Sequence, residues 1–191
     1  MDPQRFGGIV LCGGRSSRMG TPKAMLPFGN ETLLQRAVRL LSTMCSPVVV
    51  AAANDQKLPE LPENVRILRD ELDGQGPLPA LALGLRSVRD DVDRAFALAC
   101  DLPFLQAGTV ARILESLEQH RIAAPWSHGY FHPLAAAYRV DVLPELLELQ
   151  ASGERSLQEL FERIPAAKLT VADEELRNLN TPADYRAALG T

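Results

Sequence analysis

Cysteine is scarce in this 191-residue chain, and its three cysteines, Cys12, Cys45 and Cys100, form no CxxC pair. An odd number at these spacings excludes a disulfide framework and the common zinc motifs, and predicts small packing thiols in a reducing compartment. Positive charge is not in excess: 20 Lys and Arg stand against 24 Asp and Glu, for a net charge of -4 and a sequence pI near 5.4. That balance argues against a broad nucleic-acid footprint, which needs clustered Lys and Arg, but leaves room for a small basic pocket. Long apolar runs are missing too, none approaching the roughly 20 residues that span a bilayer. Met1 to Arg5 offer neither a basic leader nor a small-residue cleavage site. The expectation is a soluble, cytoplasmic protein with no membrane and no nucleic-acid partner. With 46% hydrophobic residues, no repeat and no low-complexity tract, residues 1–191 are expected to form a single domain.

Short apolar runs at Gly8–Cys12, Pro47–Ala53, Val65–Leu68, Ala95–Cys100 and Ile122–Pro125 read as buried strands. Helix-period segments separate most of them. Leu34, Ala37, Val38 and Leu41 mark one helix over about 32–44, Pro79 opens a second through Leu85 and Val88, and a third spans 108–120. Segments 141–149 and 156–164 read similarly. This alternation predicts an α/β class with a mostly parallel sheet. His128-Gly129, between two apolar runs, suggests a hairpin-like excursion that adds one antiparallel strand. Leu58–Glu63, with two prolines, reads as a surface loop.

The most informative stretch follows the first strand: Leu11-Cys12-Gly13-Gly14-Arg15-Ser16-Ser17-Arg18-Met19-Gly20-Thr21-Pro22-Lys23. Paired glycines let backbone N–H groups approach an anion closely. No Gly-Lys-Ser/Thr occurs, so it is not a Walker A loop, and it lacks the G-x-G-x-x-G of a dinucleotide fold. Instead it supplies Ser16 and Ser17 hydroxyls and two cations, Arg18 and Lys23, suited to a triphosphate and its departing pyrophosphate.

These residues resemble the molybdenum cofactor guanylyltransferases within the MobA-like nucleotidyltransferase superfamily. The resemblance is carried by Leu11-Cys12-Gly13-Gly14, Ser17-Arg18-Met19-Gly20, Lys23, Leu26-Pro27-Phe28-Gly29 and Leu33-Leu34. It continues in order through Asp70, Gly76-Pro77-Leu78, Cys100-Asp101-Leu102-Pro103, His132-Pro133-Leu134 and Asn178-Leu179-Asn180-Thr181-Pro182. It implies a three-layer, Rossmann-like sheet of the nucleotidyltransferase (GT-A-like) type. The implied reaction is transfer of GMP from GTP to the terminal phosphate of molybdopterin, with Mg²⁺ as cofactor. It further implies nucleotide contacts from Leu11, Cys12, Gly13, Gly14, Ser17, Lys23, Asp70 and Asp101, and catalytic roles for Arg18, Lys23 and Asp101. Molybdoenzymes or cofactor-insertion proteins would be transient partners.

Asp101 directly follows the strand at 95–100, at the carboxyl end where open α/β sheets hold ligands. One carboxylate there, with phosphates and waters, suffices for Mg²⁺. The resemblance gives Asp101 that role; an Asp before Pro103 also suits a turn or helix cap. Asp70 ends another strand and resembles the family's nucleotide-contacting Asp, with a turn role as the alternative. Thr181 before Pro182 is an attractive N-cap, while Asn180 matches a position near metal and phosphates. His132 and Arg155 lie where the family handles the pterin substrate; a structural His before Pro and an exposed helix-start Arg are the alternatives. The attacking phosphate is already ionised, so no general base is required, and the chain shows no Ser-His or Cys-His nucleophile.

Four positions depart from the family pattern: Cys12 replaces Ala, Pro79-Ala80 replaces Ala-Gly, and Ala51 stands where a base-contacting Asn is usual, with Asn54 nearby. The rival readings are a sister enzyme using CTP or another phosphorylated acceptor, and a non-catalytic nucleotide- or cofactor-binding delivery protein. The second predicts loss of the metal Asp or the loop Lys, and both Asp101 and Lys23 are present.

Overall fold

The computed structural model describes residues 6–12, 22–70 and 76–190. Ten strands are defined among these residues: β1 (Gly7–Leu11), β2 (Pro27–Phe28), β3 (Glu31–Thr32), β4 (Val48–Ala53), β5 (Val65–Asp70), β6 (Arg94–Ala99), β7 (Ile122–Ser127), β8 (Tyr130–Phe131), β9 (Ala135–Arg139) and β10 (Ala166–Leu169). The helices are α1 (Leu33–Ser42), α2 (Pro77–Val88), α3 (Ala107–Glu115), α4 (Leu143–Ala151), α5 (Gln158–Arg163) and α6 (Pro182–Leu189). None is long and apolar enough to cross a membrane among the described residues.

The central sheet runs β10-β7-β9-β6-β1-β4-β5, with β8 folded onto β7, and β2 and β3 form a separate hairpin. β1 lies parallel to both β4 and β6, β5 to β4, and β10 to β7. β9 is antiparallel to β6 and β7, as the excursion around His128-Gly129 predicts. His128 and Gly129 both take positive φ at its tip, 51° and 88°.

Period-2 alternation assigns each strand's side chains to two apolar layers. Val10, Val50, Phe96, Leu98 and Ala137 point into the layer covered by α1 and α3, through Leu34, Val38, Leu41, Val110 and Ile113. Ile9, Val49, Ala97 and Tyr138 point into the opposite layer, covered by α2, α4 and α5 through Leu81, Leu85, Leu146 and Leu160. The result is a three-layer α/β/α arrangement. α1 begins with a capping box in which Thr32 accepts from the Gln35 backbone N–H and Gln35 accepts from Thr32.

Several helix boundaries differ from expectation, among them that of α4, which starts at Leu143 and not 141 because a 3-10 turn over Val140–Val142 precedes it. α2 starts at Pro77, not Pro79, because Gly76 provides the N-cap backbone at φ 92° and Pro77 then takes the first helical position; Pro79, two residues on, lacks only an N–H that has no partner within the helix. The third helix tightens after Glu115 into a 3-10 turn over Ser116–Glu118. α5 starts only at Gln158, after Ser156 accepts from the Gln158 N–H in the preceding turn.

Candidate active site

The parallel strands β1, β4, β5 and β6 end at one edge, and of the polar residues singled out in the sequence Lys23, Asp101 and Asn180 collect there. The Cys100 N–H donates to the Leu11 carbonyl at 3.1 Å, joining the end of β6 to the end of β1. Asp101 therefore stands beside the start of the glycine-rich stretch. Lys23 opens the short 3-10 turn Lys23–Met25. Its Nζ donates to Asp101 Oδ2 at 2.5 Å and to Asn180 Oδ1 at 2.7 Å. The Lys23 and Asp101 side chains are only 18% and 17% exposed, so this pair is screened far less than a surface ion pair.

Asn180 is delivered by two anchors. The neighbouring Leu179 N–H donates to the Asp101 carbonyl at 3.0 Å. On its other side Thr181 caps α6: its Oγ1 accepts from the Asp184 N–H at 3.1 Å, and Asp184 Oδ2 accepts from the Thr181 and Asn180 N–H groups at 2.8 and 3.1 Å. A hydrogen bond with the Thr181 side chain, followed by those backbone donations, holds the Asp184 carboxyl below its ordinary range. Capping thus accounts for Thr181, and it fixes the residue before it.

Leu11 and Cys12 are buried, at 6% and 5% exposure, and the Cys12 N–H donates to the Ala51 carbonyl at 3.0 Å. Burial pushes the Cys12 thiol up to about 12, and raises Cys45 and Cys100 as well, as expected of packing thiols. Ala51 is 1% exposed within the layer under α2, whereas Asn54 is exposed in the turn after β4. Gly13, Gly14, Ser16, Ser17 and Arg18 lie outside the described residues, and of Asp70 only the backbone is described, ending β5 opposite Ala53.

Further along the same edge, His132 lies between β8 and β9. Its Nε2 is 2.8 Å from Ser127 Oγ, and burial lowers its pKa below the ordinary value, favouring the neutral ring. Arg155 is exposed in the loop between α4 and α5, and its backbone carbonyl packs against Gly76, where an added Cβ would come within 3.0 Å of it. The structure thus brings Lys23, Asp101 and Asn180 into direct contact, and sets His132 and Arg155 on the flanking strands and loops.

Gln56 escapes the sequence reading. Its Nε2 donates to the Cys12 carbonyl at 2.8 Å while its Oε1 accepts from the Ala53 N–H at 3.2 Å, bracing the entry to the glycine-rich stretch. Gln56 and Cys12 are 44 residues apart and share no motif, so only the strand register, Leu11 opposite Ala51, announces the meeting.

An open, mostly parallel sheet with a cation and a carboxylate at the carboxyl ends of its central strands has the layout of α/β proteins that hold ligands at that edge. Residues 8–169 match the MobA-like NTP transferase domain, and the chain belongs to that family. A Mycobacterium avium (strain 104) protein named probable molybdenum cofactor guanylyltransferase is 40% identical over 192 residues, covering 97% of this chain and 96% of its own. A Mycobacterium tuberculosis (strain ATCC 25618 / H37Rv) protein of the same name is 39% identical over 194 residues, covering 98% and 95%. The crystal structure of molybdopterin-guanine dinucleotide biosynthesis protein A from Archaeoglobus fulgidus superposes with a TM-score of 0.77 at 20% identity, covering 96% of each chain. The 2-C-methyl-D-erythritol 4-phosphate cytidylyltransferase of Thermus thermophilus superposes at 0.75 with 18% identity, over 97% and 98%. At such identities the two structures speak to the fold, which is that of nucleotidyltransferases.

Proposed function

We propose that this chain is a molybdenum cofactor guanylyltransferase, transferring GMP from GTP to the terminal phosphate of molybdopterin. The observation that carries the reading is the convergence of Lys23, Asp101 and Asn180 beside the end of β1. Full-length relatives at about 40% identity that bear this name supply the acceptor and the base.

The donor set fits Mg²⁺. Two oxygens, Asp101 Oδ2 and Asn180 Oδ1, already converge on a cation, the Lys23 ammonium. Among the described residues no cluster of three or more His, Cys, Asp or Glu gathers, and Mg²⁺ is commonly held by one or two carboxylates that share it with substrate phosphates and waters. Asp101 would hold the ion with Asn180 beside it, and once bound it supplies charge neutralisation for the phosphates.

A terminal phosphate oxygen of molybdopterin attacks the α-phosphorus of GTP. The new phosphorus–oxygen bond forms as the bond to the bridging oxygen breaks, and that electron pair leaves with pyrophosphate. No proton moves, so the protein's task is positioning and charge compensation. Lys23 and Arg18 offset the charge growing on pyrophosphate, the Gly13-Gly14 backbone N–H groups cradle the phosphates, and Asp70 contacts the nucleotide. His132 and Arg155, on the acceptor side, meet the molybdopterin. Three buried free cysteines suit a cytoplasmic setting, from which the product passes to a molybdoenzyme or insertion protein.

The test is incubation of the purified protein with molybdopterin, Mg²⁺ and GTP, with CTP in parallel, following pyrophosphate and the dinucleotide by chromatography. GTP-dependent formation of both products is expected. Preferential turnover of CTP would assign the chain to the cytidylyl branch, and no turnover of either would sink the transferase reading.

A further inference from the structure

Lys23, Asp101 and Asn180 come from three remote segments: 78 residues separate Lys23 from Asp101, and 157 separate it from Asn180. Holding a lysine against two partners costs side-chain entropy, so the three segments need a shared anchor beneath them. Leu26, Leu33 and Leu179 form a small buried cluster that receives Phe28, Phe104 and Tyr185. Each segment contributes: Leu26 and Phe28 follow Lys23, Phe104 follows Asp101, and Leu179 precedes Asn180.

Phe104, in the Asp101 segment, meets the other two. Its ring meets Phe28 edge-on, centroids 5.7 Å apart at 84°. The Arg177 guanidinium carbon lies over the ring, 4.3 Å from its centroid. Arg36 extends the stack, 5.2 Å from the Phe28 centroid, and its Nε donates to the Pro103 carbonyl at 2.6 Å. Arg177 Nε is buried and makes no hydrogen bond among the described residues, although Nη2 reaches Glu174 at 3.1 Å. A buried donor left without a hydrogen bond is costly, and the guanidinium keeps that position with the aromatic face as its neighbour.

We propose that Phe104, packed against both Phe28 and Arg177, is a positioning residue that holds Asp101, Lys23 and Asn180 in one constellation. It acts through those residues and touches no reacting atom. Its kinetic consequence rests on the transferase reading above; its structural consequence does not.

The experiment therefore has two arms on the whole chain. In the first, the side-chain amide resonances of Asn180, assigned by their loss in Asn180→Asp, are recorded without nucleotide in the wild type, Phe104→Leu and Phe104→Tyr. The Leu variant, which keeps apolar volume but not the ring, is expected to shift or broaden them, and the Tyr variant to restore them. In the second, Phe104→Leu is expected to lower kcat by roughly tenfold or more, as misplacement of a catalytic group does, while KM for GTP stays within about threefold. Combined with Asn180→Ala, the loss should be less than the product of the single losses, because one acts through the other. Arg177→Met, which keeps the stem and removes the cation, is carried through both arms and decides the matter if Phe104→Leu does not fold. An unchanged Asn180 resonance, or a multiplicative cycle, overturns the proposal. A wild-type protein that turns over no nucleotide overturns the transferase reading instead, and the resonance arm still decides this one.

Discussion

On one side of β9 the functional edge is assembled from afar; on the other it is folded from neighbours. Lys23, Asp101 and Asn180 meet across 78 and 157 residues, and their contacts are charged or charge-assisted. In the β7–β8–β9 excursion the partners lie five residues apart: Ser127 with His132, Trp126 edge-on to Phe131 at 4.6 Å, and the Tyr138 hydroxyl donating to the Pro133 carbonyl at 2.7 Å. Here aromatic rings and a neutral histidine dominate, and even the Lys168 ammonium sits over the Trp126 ring, 3.7 Å from its centroid. A site built by remote segments depends on the packing of the whole sheet, whereas a hairpin site carries its geometry within itself. Charge compensation belongs to the first and shape to the second.

That contrast breaks most visibly if a substitution on the hairpin proves as costly as one in the triad. Lys23→Ala and Asp101→Ala are each expected to lower turnover by about 10²- to 10³-fold, as loss of one charge-stabilising group typically does, with far-UV circular dichroism unchanged. Steady-state kinetics beside His132→Gln, expected to retain turnover within about tenfold because a neutral polar group is exchanged for another, makes the comparison directly. Equal losses would erase it. Next in size is Gly76→Ala, at the start of α2. Gly76 sits at φ 92°, ψ -176°, a region open essentially to glycine alone, and its new Cβ would meet the Arg155 carbonyl at 3.0 Å. Strain of that kind costs about 1–3 kcal/mol, and thermal denaturation should show it.

The same contrast explains what was legible in the sequence. Four of the apolar runs became β1, β4, β6 and β7 because buried strands of a mostly parallel sheet read as continuous apolar stretches, and the fifth became the edge strand β5, where Arg66 and Ile67 are exposed. Asp101 and Lys23 were legible because each adjoins a run or a glycine-rich motif. β10 was not: its Ala166–Leu169 sequence is short and only partly buried, and it is a strand through its register with β7. The β2–β3 hairpin is two residues per strand, below any periodicity. Phe104, Arg177 and Gln56 carry no motif, because the contacts that give them meaning link segments that only the fold brings together. Ala51 stood out as a departure from a family pattern, and the sheet shows what it does: its side chain fills the apolar layer under α2 and its carbonyl receives the Cys12 N–H.

Thr181→Ala sharpens the remote side. It removes the hydroxyl that accepts from the Asp184 N–H, and an N-cap of this kind contributes about 1 kcal/mol. The helix it caps buries no side chain fully, so chemical denaturation should register a small loss. The informative reading is turnover: if Asn180 is held chiefly by Leu179 on the Asp101 carbonyl, activity survives the loss of the cap.

The smallest effect belongs to the hairpin and concerns pH. Burial is the main cause of the lowered His132 pKa, with the nearby Asp173 carboxylate opposing it and His128 adding to it. The folded ring thus binds its proton less readily than the unfolded one, whose pKa lies at the ordinary 6.5. Stability from the neutral ring is present above that value and is lost as pH falls through the lowered folded value, because the unfolded chain takes up the proton first. Lowering the pH from about 7 to about 5 should therefore reduce Tm more in the wild type than in His132→Gln, which cannot titrate. The Gln variant retains His128 and Asp173, so the difference between the two proteins isolates the His132 ring. Parallel Tm curves for the two proteins would mean that His132 is as accessible to protons in the fold as out of it, and the hairpin would lose the buried, neutral character that sets it apart from the Lys23 side.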